Sequence, residues 1–206
     1  MIVQRLIFLF TLQVSLLSLA FAGNIDEQFF QDTDALLKKY VTKDGQVDYT
    51  NLKSDEQLTS LIKRIETADL SNTNEATQKA FLINAYNLLV MHEVIKLYPT
   101  PSVQEAGGFF DRNKVTVAGK KYTLTQFEKT ELLEVYEDAR LHFVLNCAAV
   151  SCPPIVDFVY HPDSLEVQLN RQTQLALDDS NFLRVNGDQV QLSQIFKWYM
   201  DDFGGN

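Results

Sequence analysis

Between His142 and Ile155 the chain reads His142-Phe-Val-Leu-Asn-Cys147-Ala-Ala-Val-Ser151-Cys152-Pro-Pro-Ile155, placing both cysteines, one of the three histidines and a double proline within fourteen residues. A thiolate is the strongest nucleophile among ordinary side chains, and a neighbouring imidazole is the usual means of forming one near neutral pH. The same cysteines, spaced C-x4-C, can instead close a small disulfide. Bridge, catalytic thiol and inert pair all remain open. A loop of this size gains only roughly 2 kcal/mol from cross-linking, so a bridge here shapes a site or is redox-labile rather than holding the fold together.

The apolar run Leu141 to Leu145 is expected to be a strand. Alternation then places His142 with Val144 and Asn146 on one face, and Phe143, Leu145 and Cys147 on the other. For His142 to meet Cys147 the chain must bend, whereas Cys152 lies beyond the strand and carries no such constraint. Spacing alone does not choose the nucleophile. Glu128, on the preceding helix, is an acidic partner for His142. Asn84 and Asn87 lie three apart on one face of an apolar helix, where an unpaired amide costs roughly 1–3 kcal/mol, so both are expected to bond to neighbouring backbone. For Asn84 the second reading is orientation of a catalytic imidazole or of a substrate amide. Asn87 and Ser151 are read as structural polar residues.

No cofactor-binding pattern is found. A zinc site is disfavoured because C-x4-C has no second spaced ligand pair and His161 directly precedes Pro162. His92, near the end of the apolar helix, reads as a core or helix-terminus histidine.

Several elements must position these residues. Phe29, Phe30, Leu36, Leu37 and Tyr40 mark an amphipathic helix over 26–40, ending near the turn Lys43-Asp-Gly-Gln46. Leu58, Leu61, Ile62 and Ile65 mark a second. From Lys79 to Lys96 the chain is apolar almost all round, which predicts a central buried helix. Val115 to Tyr122 reads as a hairpin turning at Ala118-Gly119, and Thr123 or Thr125 as the cap of a helix through Val135. A helix over 164–177 follows, then a hairpin with strands 182–186 and 189–192, then a last helix from Gln194 to Asp202 capped by Ser193. The expected fold class is α+β: a single domain, residues 23–206, with the central helix packed against a small antiparallel sheet, in a papain- or transglutaminase-like arrangement.

Arg5, the apolar run Leu6 to Leu19 and the small-x-small site ending at Ala22 have the form of a cleaved secretory signal peptide, residues 1–22. The run is too short and interrupted to favour a membrane span, so none is expected after cleavage. Export to the periplasm or beyond the cell is therefore expected. The leader holds one basic residue and no acid, so its removal takes the net charge from −9 to −10. Such a surface repels phosphate backbones and anionic lipids, which argues against nucleic-acid partners and admits cationic ones.

Four segments in order, Ala80-Phe-Leu-Ile-Asn-Ala-Tyr-Asn87, Leu124-Thr-Gln-Phe-Glu128, His142 to Pro154, and Leu192-Ser-Gln-Ile-Phe-Lys-Trp-Tyr-Met-Asp-Asp-Phe203, resemble the domain-of-unknown-function 547 family. The likeness runs from about Tyr40 to Phe203. Its hallmarks are Asn-x-Tyr-Asn and His-x4-Cys-x4-Cys-Pro. Leu82 stands where the family usually has Trp, and Lys129 where it commonly has His, which leaves Glu128 as the acid the resemblance carries over. The resemblance implies no established activity. From the residues, the leading expectation is an exported thiol-dependent hydrolase or transferase of papain- or transglutaminase-like logic. It would act on amide or thioester bonds of a small-molecule or peptide ligand, with Cys147 or Cys152 as nucleophile, His142 as base, and Glu128 or Asn84 orienting the imidazole. The competing expectation is a non-catalytic binding or assembly module with a bridged Cys147–Cys152 pair.

Overall fold

Asp26 accepts a hydrogen bond from the Phe29 backbone N–H at 3.1 Å and so opens the first helix, in a computed structural model that describes residues 23–148, 152–180 and 182–205. The expected leader, residues 1–22, and Ser151 lie outside the described residues. A two-residue strand, β1 (Gly23–Asn24), precedes α1 (Glu27–Tyr40), which carries Glu27 in its first turn and Lys38 and Lys39 in its last, each sign opposing the helix dipole. Its Phe29, Phe30, Thr33, Leu36, Leu37 and Tyr40 recur at helical spacing and are buried. After the short α2 (Tyr49–Leu52), α3 (Glu56–Glu66) is capped by Asp55 and buries Leu58, Leu61, Ile62 and Ile65. β2 (Ala68–Asp69) pairs in parallel with β1.

α4 (Glu75–Leu97) begins one turn before the expected Lys79, because Asn74 caps it by accepting from the Thr77 backbone N–H at 2.9 Å. Every residue from Lys79 to Met91 is buried, so this helix is the axis around which the rest packs. It is long and apolar enough to cross a membrane by length and composition, but 78 % of its most apolar window is buried inside the fold. That burial accounts for its composition. Its neighbours are mostly helical, namely α3, the helix that follows residue 123 and the turn at Pro162–Ser164. The expected small antiparallel sheet is present as separate two-stranded pairs rather than as one sheet. The hairpin of β3 (Val115–Val117) and β4 (Lys120–Tyr122) buries Val115 and Val117 in the same core as α4, its tip donating from Ala118 N and Gly119 N to the carbonyls of Ile65 and Glu66 at 2.9 and 2.8 Å. Those bonds satisfy the open carbonyls at the end of α3.

Thr123 and Gln126 form a reciprocal capping box at the start of α5 (Leu124–Phe127), which runs into a π-helical turn, Glu128–Leu133, and ends as α6 (Glu134–Tyr136). The strand expected over Leu141–Leu145 is a 3-10 turn over Ala139–Phe143. Asp138 accepts from the Arg140 N–H, and the Leu141, Val144 and Leu145 N–H groups bond to carbonyls three or four residues back. A short apolar run does not distinguish a buried strand from a buried helical turn, and here the Asp138 cap decides. α7 (Leu165–Asp178) follows, and then the antiparallel pair β5 (Leu183–Asn186) and β6 (Gln189–Leu192) in the expected register. The last helix is broken into α8 (Gln194–Trp198) and a 3-10 turn, Met200–Phe203. The architecture is α+β, with small two-stranded pairs around a helical core.

Two sets of buried residues result. The larger surrounds α4; the smaller joins Phe143, Phe182 and Ile195 with Phe196, Tyr199 and Phe203. The second set holds the C-terminal elements against the 3-10 turn that carries His142. At the turn after α1, Gly45 has φ +77° and approaches Pro154 so closely that a Cβ there would collide with it, so glycine is required on both counts.

Candidate active site

Cys147 and Cys152 are joined in a disulfide with their Cα atoms 5.9 Å apart. Two asparagines shape the loop around it. Asn87 donates from Nδ2 to the Val144 carbonyl at 3.0 Å and accepts from the Asn146 N–H at 2.9 Å. Asn146 in turn accepts from the Ala148 N–H at 2.8 Å and donates to the Pro153 carbonyl at 3.0 Å, spanning the bridge. Ala148 has a left-handed φ of 51°, a conformation that costs a non-glycine residue about 1 kcal/mol and persists only where surrounding bonds hold it.

Asn84 is placed elsewhere. It donates to the carbonyls of Ala80 and Tyr160, both at 2.7 Å, and accepts from the Tyr160 N–H at 3.1 Å. Its amide is thus engaged with backbone, away from His142, and it fixes the segment leading into α7.

His142 is buried, and the 3-10 turn removes the strand parity that set it opposite Cys147. Its Nε2 lies 2.7 Å from Asp202 Oδ2, and its ring packs on Tyr199 and Phe203 at centroid distances of 4.0 and 5.3 Å. An ionised carboxylate only accepts, so the proton of the neutral imidazole resides on Nε2 and the lone pair on Nδ1. The acid on the imidazole is Asp202, not Glu128. Glu128 sits at the first position of the π-helical turn and accepts from the phenols of Tyr86 at 3.1 Å and Tyr199 at 2.9 Å. Burial first, and the Glu128 charge second, push both phenols above their ordinary value, so both remain donors. Single π turns are frequent at functional sites.

These groups share one cavity of about 280 Å³, lined by Glu128, His142, Cys147, Cys152, Tyr86 and Tyr199, with Phe110, Asp111, Thr125 and Trp198 among the rest. Four of the expected residues therefore come together, and Asn84 and Asn87 lie outside the lining. Cys152 also lines a second cavity of about 490 Å³ with Val47, Tyr49, Tyr98, Val103 and Phe182, and among the described residues it is the only one common to both linings. Among the described residues, no three His, Cys, Asp or Glu side chains converge as metal ligands do.

Sequence reasoning missed Tyr86, Tyr199, Asn146 and Asp202. A tyrosine within the most apolar helix was a usable signal, because a buried phenol needs a partner. Asp202 gave none, being 60 positions from His142 and next to a second aspartate.

A family model described as Protein of unknown function, DUF547, matches residues 70–177. No curated protein and no solved structure matches the chain. The matched span holds Asn84, Tyr86, Asn87, Glu128, His142 and both cysteines, while Tyr199 and Asp202 lie beyond it. With just over half its length matched, and with both sequence hallmarks inside the match, the chain belongs to the DUF547 family.

Proposed function

We propose that the protein is an exported thiol-dependent acyl hydrolase or transferase, latent while Cys147 and Cys152 are bridged, with Cys152 as nucleophile. The observation that carries this reading is the convergence of a buried imidazole, engaged on Nε2 by Asp202, with both cysteines on one cavity. Cys152 is preferred over Cys147 because it alone reaches the second cavity, which can hold the acyl part of a substrate.

A dithiol reductant opens the bridge, is itself oxidised to a disulfide, and leaves two thiols. Cys152 Sγ then passes its proton to His142 Nδ1 and attacks the carbonyl carbon of an amide or thioester, forming a C–S bond. Collapse of the tetrahedral species breaks the substrate's C–N or C–S bond, and the leaving group takes the proton from Nδ1. Water, or an amine, next attacks the thioester, gives its proton to Nδ1, and the thiolate departs. Asp202 holds the imidazole tautomer throughout. Glu128 is a positioning residue that fixes Tyr199, whose ring rests on His142.

The likeness to papain- and transglutaminase-like enzymes is one of chemistry. Such constellations recur in different chain orders on unrelated folds, and here the order is His, Cys, Asp. Export rests on the form of residues 1–22, and secretion from living cells followed by mass measurement of the mature chain, expected to start at Gly23, tests it. The same proposal treats residues 23–206 as one domain.

The test of activity uses reduced protein and a simple acetyl thioester. Mass spectrometry is expected to find an acetyl group on Cys152 that disappears with time, and none in Cys152→Ala. Without an adduct in fully reduced, folded protein, the enzyme reading fails. The closed bridge favours one alternative, a binding or assembly module in which the disulfide shapes a loop, and unchanged ligand binding by Cys147→Ala/Cys152→Ala would count against that module.

A further inference from the structure

The cavity around Glu128 has an unusual wall. Four aromatic side chains, Tyr86, Phe110, Trp198 and Tyr199, and two carboxylates, Glu128 and Asp111, line it, and among the described lining residues there is no lysine or arginine. Each oxygen of Glu128 accepts one phenol, Oε2 from Tyr86 and Oε1 from Tyr199, so each retains a lone pair for a further donor. Asp111 uses Oδ1 for the Thr125 hydroxyl at 2.9 Å, leaving Oδ2. Aromatic faces attract cations through their quadrupoles, and carboxylates satisfy N–H donors. An anion would meet the charges of Glu128 and Asp111, and the O–H donors of Tyr86, Tyr199 and Thr125 already point at those carboxylates.

We propose that this cavity binds an organic cation, specifically a primary alkylammonium: its N–H donors bond to Glu128 and its alkyl part lies among the aromatic rings. About 280 Å³ admits a small amine or the end of a lysine-like side chain. The net charge of −9 draws such a ligand in. Binding needs no free thiol and is expected with the disulfide closed, so the proposal stands apart from the catalytic reading. If the catalytic reading also holds, the site lies where an amine acceptor would meet an acyl group on Cys152.

Trp198 is the only tryptophan in the chain, and its emission reports on this wall. Oxidised protein is titrated near pH 7 with n-butylammonium chloride and, separately, with n-butanol, at matched ionic strength. The expected result is a saturable change in emission with the ammonium, a much weaker one with the alcohol, and about tenfold weaker ammonium binding in Glu128→Gln, a volume-conserving change that removes one charge. Should Glu128→Gln not fold, Asp111→Asn is expected to weaken binding in the same direction. No saturable change, equal binding of amine and alcohol, or unaltered affinity in the folded variants would each overturn the proposal.

Discussion

Asp202 bears on His142 through one hydrogen bond of 2.7 Å, with the carboxylate 41 % exposed and the imidazole almost wholly buried. Exchanging it for asparagine places a donor or a neutral acceptor against Nε2 and loosens control of the tautomer. We expect Asp202→Asn to slow thioester acylation by about a hundredfold, less than the roughly 10⁴-fold seen where such an aspartate is fully buried. Its melting temperature should stay within a few degrees of the parent, since little is buried with it. The Asp138 cluster predicts the reverse pattern. Burial alone would raise this carboxyl, but hydrogen bonds from Arg140 and Lys79 outweigh it and hold the group well below the usual carboxylate range. Lys79 Nζ lies 2.6 Å away, nearly buried, so Asp138→Asn should cost about 3 kcal/mol near pH 7 by leaving that cation unpaired. The folded protein takes up this proton less readily than the unfolded chain. Stability is thus lost as pH falls below the ordinary value of 3.8, and the gap between parent and variant should close there while staying constant between pH 5 and 8. Thermal melts across pH check both points.

The two asparagines of α4 separate architecture from site. Asn84 holds Tyr160, and Asn87 holds the backbone of Val144 and Asn146 at the entrance to the bridged loop. Replacing either by alanine leaves buried backbone groups unpaired and should cost about 2 kcal/mol in denaturant unfolding. Only Asn87→Ala should also alter alkylation of the reduced cysteines; equal effects from both variants would place Asn84 in the site after all. Helices with caps and strong periodicity were legible in the chain, down to the Ala118-Gly119 turn and the hairpin at residues 183–192. The segment at residues 141–145 was not, because five apolar residues fit a strand as well as a buried 3-10 turn and only the Asp138 cap decides between them. That one element reversed the argument that His142 and Cys147 face apart.

Across the whole molecule, the site depends on the C-terminal elements folding back through the aromatic set of Phe143, Phe182, Phe196 and Phe203. Contacts at such sequence separation leave no periodic trace, which is why His142 and the cysteines were legible as candidates while Asp202 and Tyr199 were not. The disulfide was legible only as one of three readings, since spacing permits a bridge without requiring it. The central claim is that His142, held by Asp202, makes Cys152 a thiolate once the bridge is open. Its most direct test is the rate of Cys152 carboxymethylation by iodoacetamide in fully reduced protein, followed from pH 5 to 9 and resolved by peptide mass spectrometry, for the parent and His142→Ala. The account predicts a parent midpoint at least one unit below the ordinary thiol value of about 8.5, and a return towards that value in the variant. Identical midpoints in the two proteins would contradict it.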